Sequence, residues 1–190
     1  MKKIILASAS PRRQQFFEEL HLDYEVIVKP INEVYPSTLE REEITNFLAQ
    51  QKALPFEGSL KENEVLITSD TIVWYDNKAL GKPKNYDEGF AMLRSLSGKK
   101  HEVITSVCFT TLTKQKTAYC VTKVTFKSLT DKEIDFYLTH YKPYDKAGAY
   151  GIQEWIGYIG VENVEGSYNN VIGLPTHLVY TILQEFENEN

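Results

Sequence analysis

The chain opens on an unbroken apolar run, residues 3 to 8 (KIILAS), that stops at a cluster of serines, a proline and two arginines. Such a run predicts a strand buried on both faces. Ser10 then predicts an N-cap and Pro11 the first helical residue, with Phe16, Phe17 and Leu20 as the inward stripe of a helix ending near His21. Residues 23–31 (DYEVIVKPI) alternate as a second strand stopped at Pro30, with Glu33 in the loop beyond it. A helix is predicted from about Leu39 to Ala53, where Ile44, Phe47 and Leu48 recur at helical spacing and Lys52 lies near the C-terminal end. A polar loop follows between Pro55 and Asn63.

Residues 64–80 (EVLITSDTIVWYDNKAL) read as strands around one polar step, with a turn at Asp76-Asn77. After the loop GKPKN, a helix over residues 86–98 carries Phe90, Leu93 and Leu96 on one face and closes at Gly98. Two long β-rich runs, HEVITSVCFTTL and KTAYCVTKVTFKSL, predict a hairpin across Thr113 to Lys116. Thr130 and Glu133 stand at capping-box spacing before a helix with Ile134, Tyr137 and Leu138 inward. The Gly-rich, aromatic segment from Pro143 to Pro175 carries little helix signal, and THLVYTILQEF predicts an amphipathic C-terminal helix. Interleaved helices and strands predict an α/β fold with a substantial antiparallel part.

Composition changes this picture only at its edges. At 190 residues, with 42% apolar and 25% charged residues, the sequence predicts one soluble globular domain spanning residues 1–190. A net charge of -5 argues against a broad phosphate-binding face, so no nucleic-acid partner is expected. The early apolar run is cut by Ser8, Ser10, Arg12 and Arg13, too short for a signal-peptide core or a membrane span, so neither export nor a membrane partner is expected. Cys108 and Cys120, both in strand-like runs, show neither a disulfide framework nor a zinc spacing, which fits a reducing cytoplasm.

The chemistry concentrates in a few places. A turn between a buried strand and a helix presents backbone N–H groups and the positive end of the helix dipole, so an anion is favoured there. Ser8 and Ser10 add hydroxyls, and Arg12 and Arg13 can fork onto phosphate oxygens. Asp70 interrupts a run that should be buried, where an ionised carboxylate needs a cation or a wet cleft. Lys52 and Lys82 supply further cations, and the segments DKAGAYGIQ and EGSYNNVIGLP are loops biased toward small and polar residues. The four histidines form no zinc or triad spacing, and Cys108 has no cationic neighbour to activate it.

Taken in order, LASASPRR, SDT, GKP, LSGKKHEV, VTKVTF, DKAGAYGIQ and EGSYNNVIGLP resemble the Maf family of nucleoside triphosphate pyrophosphatases, also called septum formation proteins, over nearly the whole chain. The resemblance implies a mixed, elongated, twisted sheet flanked by helices, two lobes with a central nucleotide cleft, similar to inosine triphosphatases. It implies hydrolysis between the α and β phosphates of a nucleoside triphosphate substrate, with Mg2+ or Mn2+ as divalent cofactor, and is compatible with a homodimer. Family catalytic positions fall on Ser8, Arg13, Glu33, Lys52, Asp70 and Lys82. Arg13, Lys52, Lys82 and the Ser8 loop would neutralise charge on phosphate oxygens, Asp70 would orient or deprotonate the attacking water, and Glu33 and Asp70 would share the metal. A regulator of cell division that binds nucleotide without turnover is the competing reading.

Subgroup identity rests on Arg12, Thr71 and Gln153, which look like the dTTP/UTP pyrophosphatases; members preferring 7-methyl-GTP place Trp, Gln and Glu there. The Gln153 amide both donates and accepts, which suits the adjacent N3–H and carbonyls of thymine or uracil. Two positions depart from the family pattern: Thr68 stands where glycine is common two residues before Asp70, and Glu154, followed by Trp155, where glycine often follows GIQ.

Overall fold

A computed structural model describes residues 2–188 of the chain. Two compact units emerge from it. One comprises the residues up to Asp70, Thr105–Cys120 and the residues from Gly173 on; the other comprises Thr71–Ile104 and Val121–Ile172. Among the described residues no helix is long and apolar enough to cross a membrane.

The first unit begins with β1 (Lys3–Leu6), α1 (Pro11–Glu19), β2 (Tyr24–Val26) and α2 (Glu42–Ala53). Strands β3 (Glu64–Tyr75), β5 (Lys100–Thr110) and β6 (Gln115–Phe126) each contribute residues to both units, and α7 (Thr176–Asn188) returns to the first. The second unit adds β4 (Lys78–Leu80), α3 (Tyr86–Leu96), α4 (Asp131–Tyr141), α5 (Trp155–Gly160), β7 (Val161–Glu165) and α6 (Tyr168–Ile172). The strands form one seven-stranded sheet in the order β2-β1-β3-β5-β6-β7, with β4 paired to β3. It is mixed: β1 runs parallel to β2 and β3, while β4 and β7 lie antiparallel to β3 and β6. The α/β expectation of a mixed sheet flanked by helices is met.

Each unit has its own core. In the first, Ile4, Leu6, Phe17, Val65, Ile67 and Phe109 pack with Val179, Ile182 and Phe186 of α7. In the second, Leu93 and Leu96 meet Val103, Phe126, Ile134, Tyr137 and Leu138. Burying each such large side chain contributes roughly 1.5–3 kcal/mol.

Local signals with a backbone mechanism read correctly. Thr130 and Glu133 close the capping box of α4, Gly98 follows α3 at φ +69°, and Asp76 and Asn77 both adopt positive φ in the tight turn between β3 and β4. Other expectations need correction. The second strand stops at Val26 because its parallel partner β1 is exhausted: Leu6 pairs with Val26, and only the bond from Ile27 N to Leu6 O continues. Helix α2 starts at Glu42 rather than near Leu39 because Arg41 sits at φ +49°, outside helical space. The β5–β6 turn falls two residues early, closed by the bond from Thr111 N to Lys114 O. The Gly-rich stretch from 143 to 175 contains α5, β7 and α6, elements of five or six residues whose order comes from packing rather than periodicity.

One core polar group predicts acid sensitivity for the second unit. His101 is buried, shares a 2.7 Å hydrogen bond between Nε2 and the Tyr150 hydroxyl, and lies edge-on to the Phe126 and Tyr150 rings. Burial pushes its pKa from 6.5 down to about 4. Between those values the unfolded chain binds a proton that the folded one refuses, so stability falls as pH drops through that window. Urea titrations near neutrality and near pH 5 should show this loss, and His101→Gln should lessen the difference. An undiminished difference would assign the acid sensitivity to other groups.

Candidate active site

The turn from β1 to α1 is built as a bracket. Ser8 is buried at 6% exposure, its Oγ accepts from Ser10 N at 3.3 Å, and its carbonyl accepts from Gln14 Nε2 at 3.0 Å. Ser10 occupies the N-cap in an extended conformation, yet its hydroxyl makes no capping bond. Arg13, in the first turn of α1, donates from Nε to Gly173 O and from Nη1 to Ser69 O, both at 2.9 Å. These contacts join three separate chain segments around the carbonyl that precedes Asp70. Burial pulls the Arg13 pKa down, the Asp70 charge pushes it back, and neighbouring Arg12 lowers it again. A guanidinium remains charged through such shifts.

Beside this bracket lies a three-charge cluster. Asp70, 7% exposed on β3, meets Lys52 Nζ at 2.6 Å through Oδ1. The same ammonium reaches Glu33 Oε1 at 3.0 Å and Ser69 O at 3.3 Å. The buried Asp70 thus has the cation its burial demands, and one lysine serves two carboxylates. Lys52 projects from the last turn of α2, where a positive charge complements the helix dipole. Its position is set by a hydrogen bond of 2.6 Å from the buried Thr68 hydroxyl to the Ala49 carbonyl, which ties α2 to β3. Among the predicted site residues, Ser8, Arg12, Arg13, Glu33, Lys52 and Asp70 all lie in the first unit.

Thr71, Lys82 and Gln153 lie in the second. Thr71 follows Asp70 directly on β3 and is half-buried. Lys82 is exposed in the loop after β4, whose Gly81 carbonyl accepts from Gly148 N at 3.0 Å. Gly148 has φ +68°, and a Cβ there would stand 2.7 Å from Val73 Cγ2, so this close approach admits only glycine. Gln153 is half-buried, and its Oε1 is buried without a hydrogen-bond partner.

Sequence reasoning missed three polar partners: the Tyr137 hydroxyl, and the Ser69 and Gly173 carbonyls. Tyr137 read as a core side chain, but its hydroxyl donates to Glu154 and accepts from Gly151 N at 3.0 Å. The carbonyls of Ser69 and Gly173, which hold Arg13, carry no side-chain signature at all. A polar tip on an otherwise inward helical residue was the only sign of the first.

The profile of the family "Maf-like protein" matches residues 3–186. The chain is 63% identical over 181 residues to a Flavobacterium johnsoniae protein named dTTP/UTP pyrophosphatase, covering 95% of this chain and 93% of that one. A Flavobacterium psychrophilum protein of the same name is 60% identical over the same shares of the two chains. Among solved structures, a HAM1 protein from Coxiella burnetii shares the fold at a TM-score of 0.53 and 16% identity, over 97% of this chain and 100% of that one.

Proposed function

This chain belongs to the Maf family, and from that premise we propose that it hydrolyses dTTP and UTP to the nucleoside monophosphate and pyrophosphate. The observation that carries the reading is the single Lys52 ammonium shared by Asp70 and Glu33, a carboxylate pair and a cation gathered at one point. Adding water across the α–β anhydride needs a group to take the proton of the water and positive charge to meet the oxygens of the departing pyrophosphate. Asp70 takes the first role. Lys52, Arg13, Lys82 and the N–H groups around Ser8 take the second, which is chiefly electrostatic.

A divalent cation fits the donor set. Asp70 and Glu33 offer hard oxygens suited to Mg2+ or Mn2+, and no cluster of three or more acidic, His or Cys residues surrounds them among the described residues. Phosphate oxygens and water would therefore complete the coordination, as is usual for Mg2+. Such an ion, when bound, neutralises phosphate charge and polarises the reacting centre. Arg12, Thr71 and Gln153 are assigned to nucleotide selection, Gln153 because an amide both donates and accepts, as the pyrimidine edge requires.

Incubating the protein with a panel of nucleoside triphosphates and Mg2+ or Mn2+ should release monophosphate and pyrophosphate, with dTTP and UTP consumed fastest. Release of nucleoside diphosphate and orthophosphate would overturn the reaction type. Binding without any turnover would favour the regulatory reading instead.

A further inference from the structure

The bracket that turns β1 into α1 is held at two successive peptide units. The half-buried side chain of Gln14 reaches back six residues along the chain, and its Nε2 donates to the Ser8 carbonyl at 3.0 Å. That bond fixes the Ser8–Ala9 peptide. The next peptide, Ala9–Ser10, is fixed through its N–H, which donates to Ser8 Oγ at 3.3 Å. Gln14 is secured in its turn: its own N–H donates to Ser10 O at 3.1 Å, and its carbonyl accepts from the Tyr24 hydroxyl of β2 at 3.2 Å. Ala9 is therefore clamped on both sides without the use of its own N–H.

The clamp leaves one directed donor. In a trans peptide the N–H points opposite to the C=O, and no described peptide bond is cis. Holding the Ser8 carbonyl on Gln14 thus aims the Ala9 N–H directly away from that side chain. Ala9 is exposed, and its N–H has no partner among the described residues. Such a donor suits an anion only while the peptide keeps this sense; were the Ser8–Ala9 unit to turn over about its two soft dihedrals, a carbonyl oxygen would stand in place of the N–H and repel the anion. The bond from Gln14 opposes that rotation.

We infer that Gln14 is a positioning residue, which by holding the Ser8 carbonyl presents the Ala9 N–H to the pyrophosphate moiety of the substrate. The inference rests on the proposed hydrolysis, in which the groups around Ser8 meet the departing pyrophosphate. Dissociation constants for pyrophosphate and for UMP, each with Mg2+, are measured by calorimetry, with kcat and KM for UTP alongside. The proteins are wild type, Gln14→Met, Gln14→Lys, Ala9→Pro and the double variant Gln14→Met/Ala9→Pro. Fitting the number of sites separately makes each constant insensitive to an inactive fraction, and Met and Lys suit a helix as well as Gln does.

Gln14→Met, which cannot donate, should weaken pyrophosphate by about tenfold and lower kcat for UTP by a similar factor, with UMP binding within about twofold. The loss is smaller than the roughly 10²–10³-fold of deleting an oxyanion donor, because the N–H is still present but no longer held. Gln14→Lys, whose ammonium can donate to the Ser8 carbonyl, should recover pyrophosphate binding without tightening UMP; a mere gain of positive charge would tighten both. Ala9→Pro removes the N–H itself and should weaken pyrophosphate at least as much as Gln14→Met, and the double variant should bind no more weakly than Ala9→Pro alone. Wild-type pyrophosphate affinity in Gln14→Met, or losses from Gln14→Met and Ala9→Pro that add in full, would overturn the role of Gln14. Failure of the wild-type protein to release pyrophosphate from UTP would instead overturn the proposed reaction, and the pyrophosphate constants would still decide what Gln14 does.

Discussion

Replacing Asp70 with asparagine lowers turnover of UTP by about 10²–10⁴-fold, the range associated with losing a positioned proton acceptor, and leaves the fold intact. Both halves of this expectation come from the geometry. The asparagine carbonyl can still accept the hydrogen bond that Lys52 Nζ now makes to Asp70 Oδ1 at 2.6 Å, and Lys52 keeps its second carboxylate partner in Glu33 at 3.0 Å. No buried charge is stranded, so the penalty for breaking a buried ion pair is avoided. What disappears is the negative charge, and with it proton acceptance from water and any carboxylate contribution to binding a divalent ion. Pyrophosphate release measures the first half and a urea transition the second. Activity within about tenfold of wild type would remove Asp70 from the reaction.

The second large effect is structural and comes from a single methyl group. In Gly157→Ala the new Cβ would stand 1.8 Å from the Ile152 carbonyl oxygen and 2.5 Å from its carbon, atoms of the backbone that cannot rotate away. The N-terminal part of α5 must then lift from the 151–154 turn, and the cost should reach or exceed the roughly 1–3 kcal/mol usual for overpacking a rigid site. The urea midpoint should fall accordingly, and KM for UTP should rise because the same turn carries Gln153. Gly81→Ala is the matched control: nothing lies within 4 Å of a Cβ there, and its stability should match wild type. Equal midpoints for Gly157→Ala and Gly81→Ala would mean that α5 does not rest on Ile152.

Much of the fold was legible because its signals are local. The apolar run before Ser8 has to be buried, and the Thr130–Glu133 spacing satisfies its own backbone donors, whatever surrounds them. Asp70 was legible for a related reason: a charge in the middle of β3 contradicts its neighbours, and such contradictions mark places where something other than stability was selected. The distant partners of these residues were not legible. Nothing near Glu33 in sequence announces that it shares an ammonium with Asp70, and Arg13 spends two donors on carbonyls 56 and 160 residues away. Strand β7 and the short helices α5 and α6 escaped for the same reason, since their order is conferred by the core they complete. Arg13, expected from sequence to clamp phosphate, is seen in the structure holding the Ser69 and Gly173 carbonyls.

The Thr68 hydroxyl bonded to Ala49 acts as a strut of fixed length. Asp70 lies two residues beyond Thr68 on the same face of β3, and Lys52 one helical turn beyond Ala49 on α2, so the strut stands immediately beside the ion pair. With glycine at that position, the separation of strand and helix would be set by whatever packing filled the gap. With threonine it is set by a 2.6 Å bond, and the two opposite charges are carried on members that have to move together. The spacing between acid and ammonium in this chain is therefore gauged by a residue that touches neither.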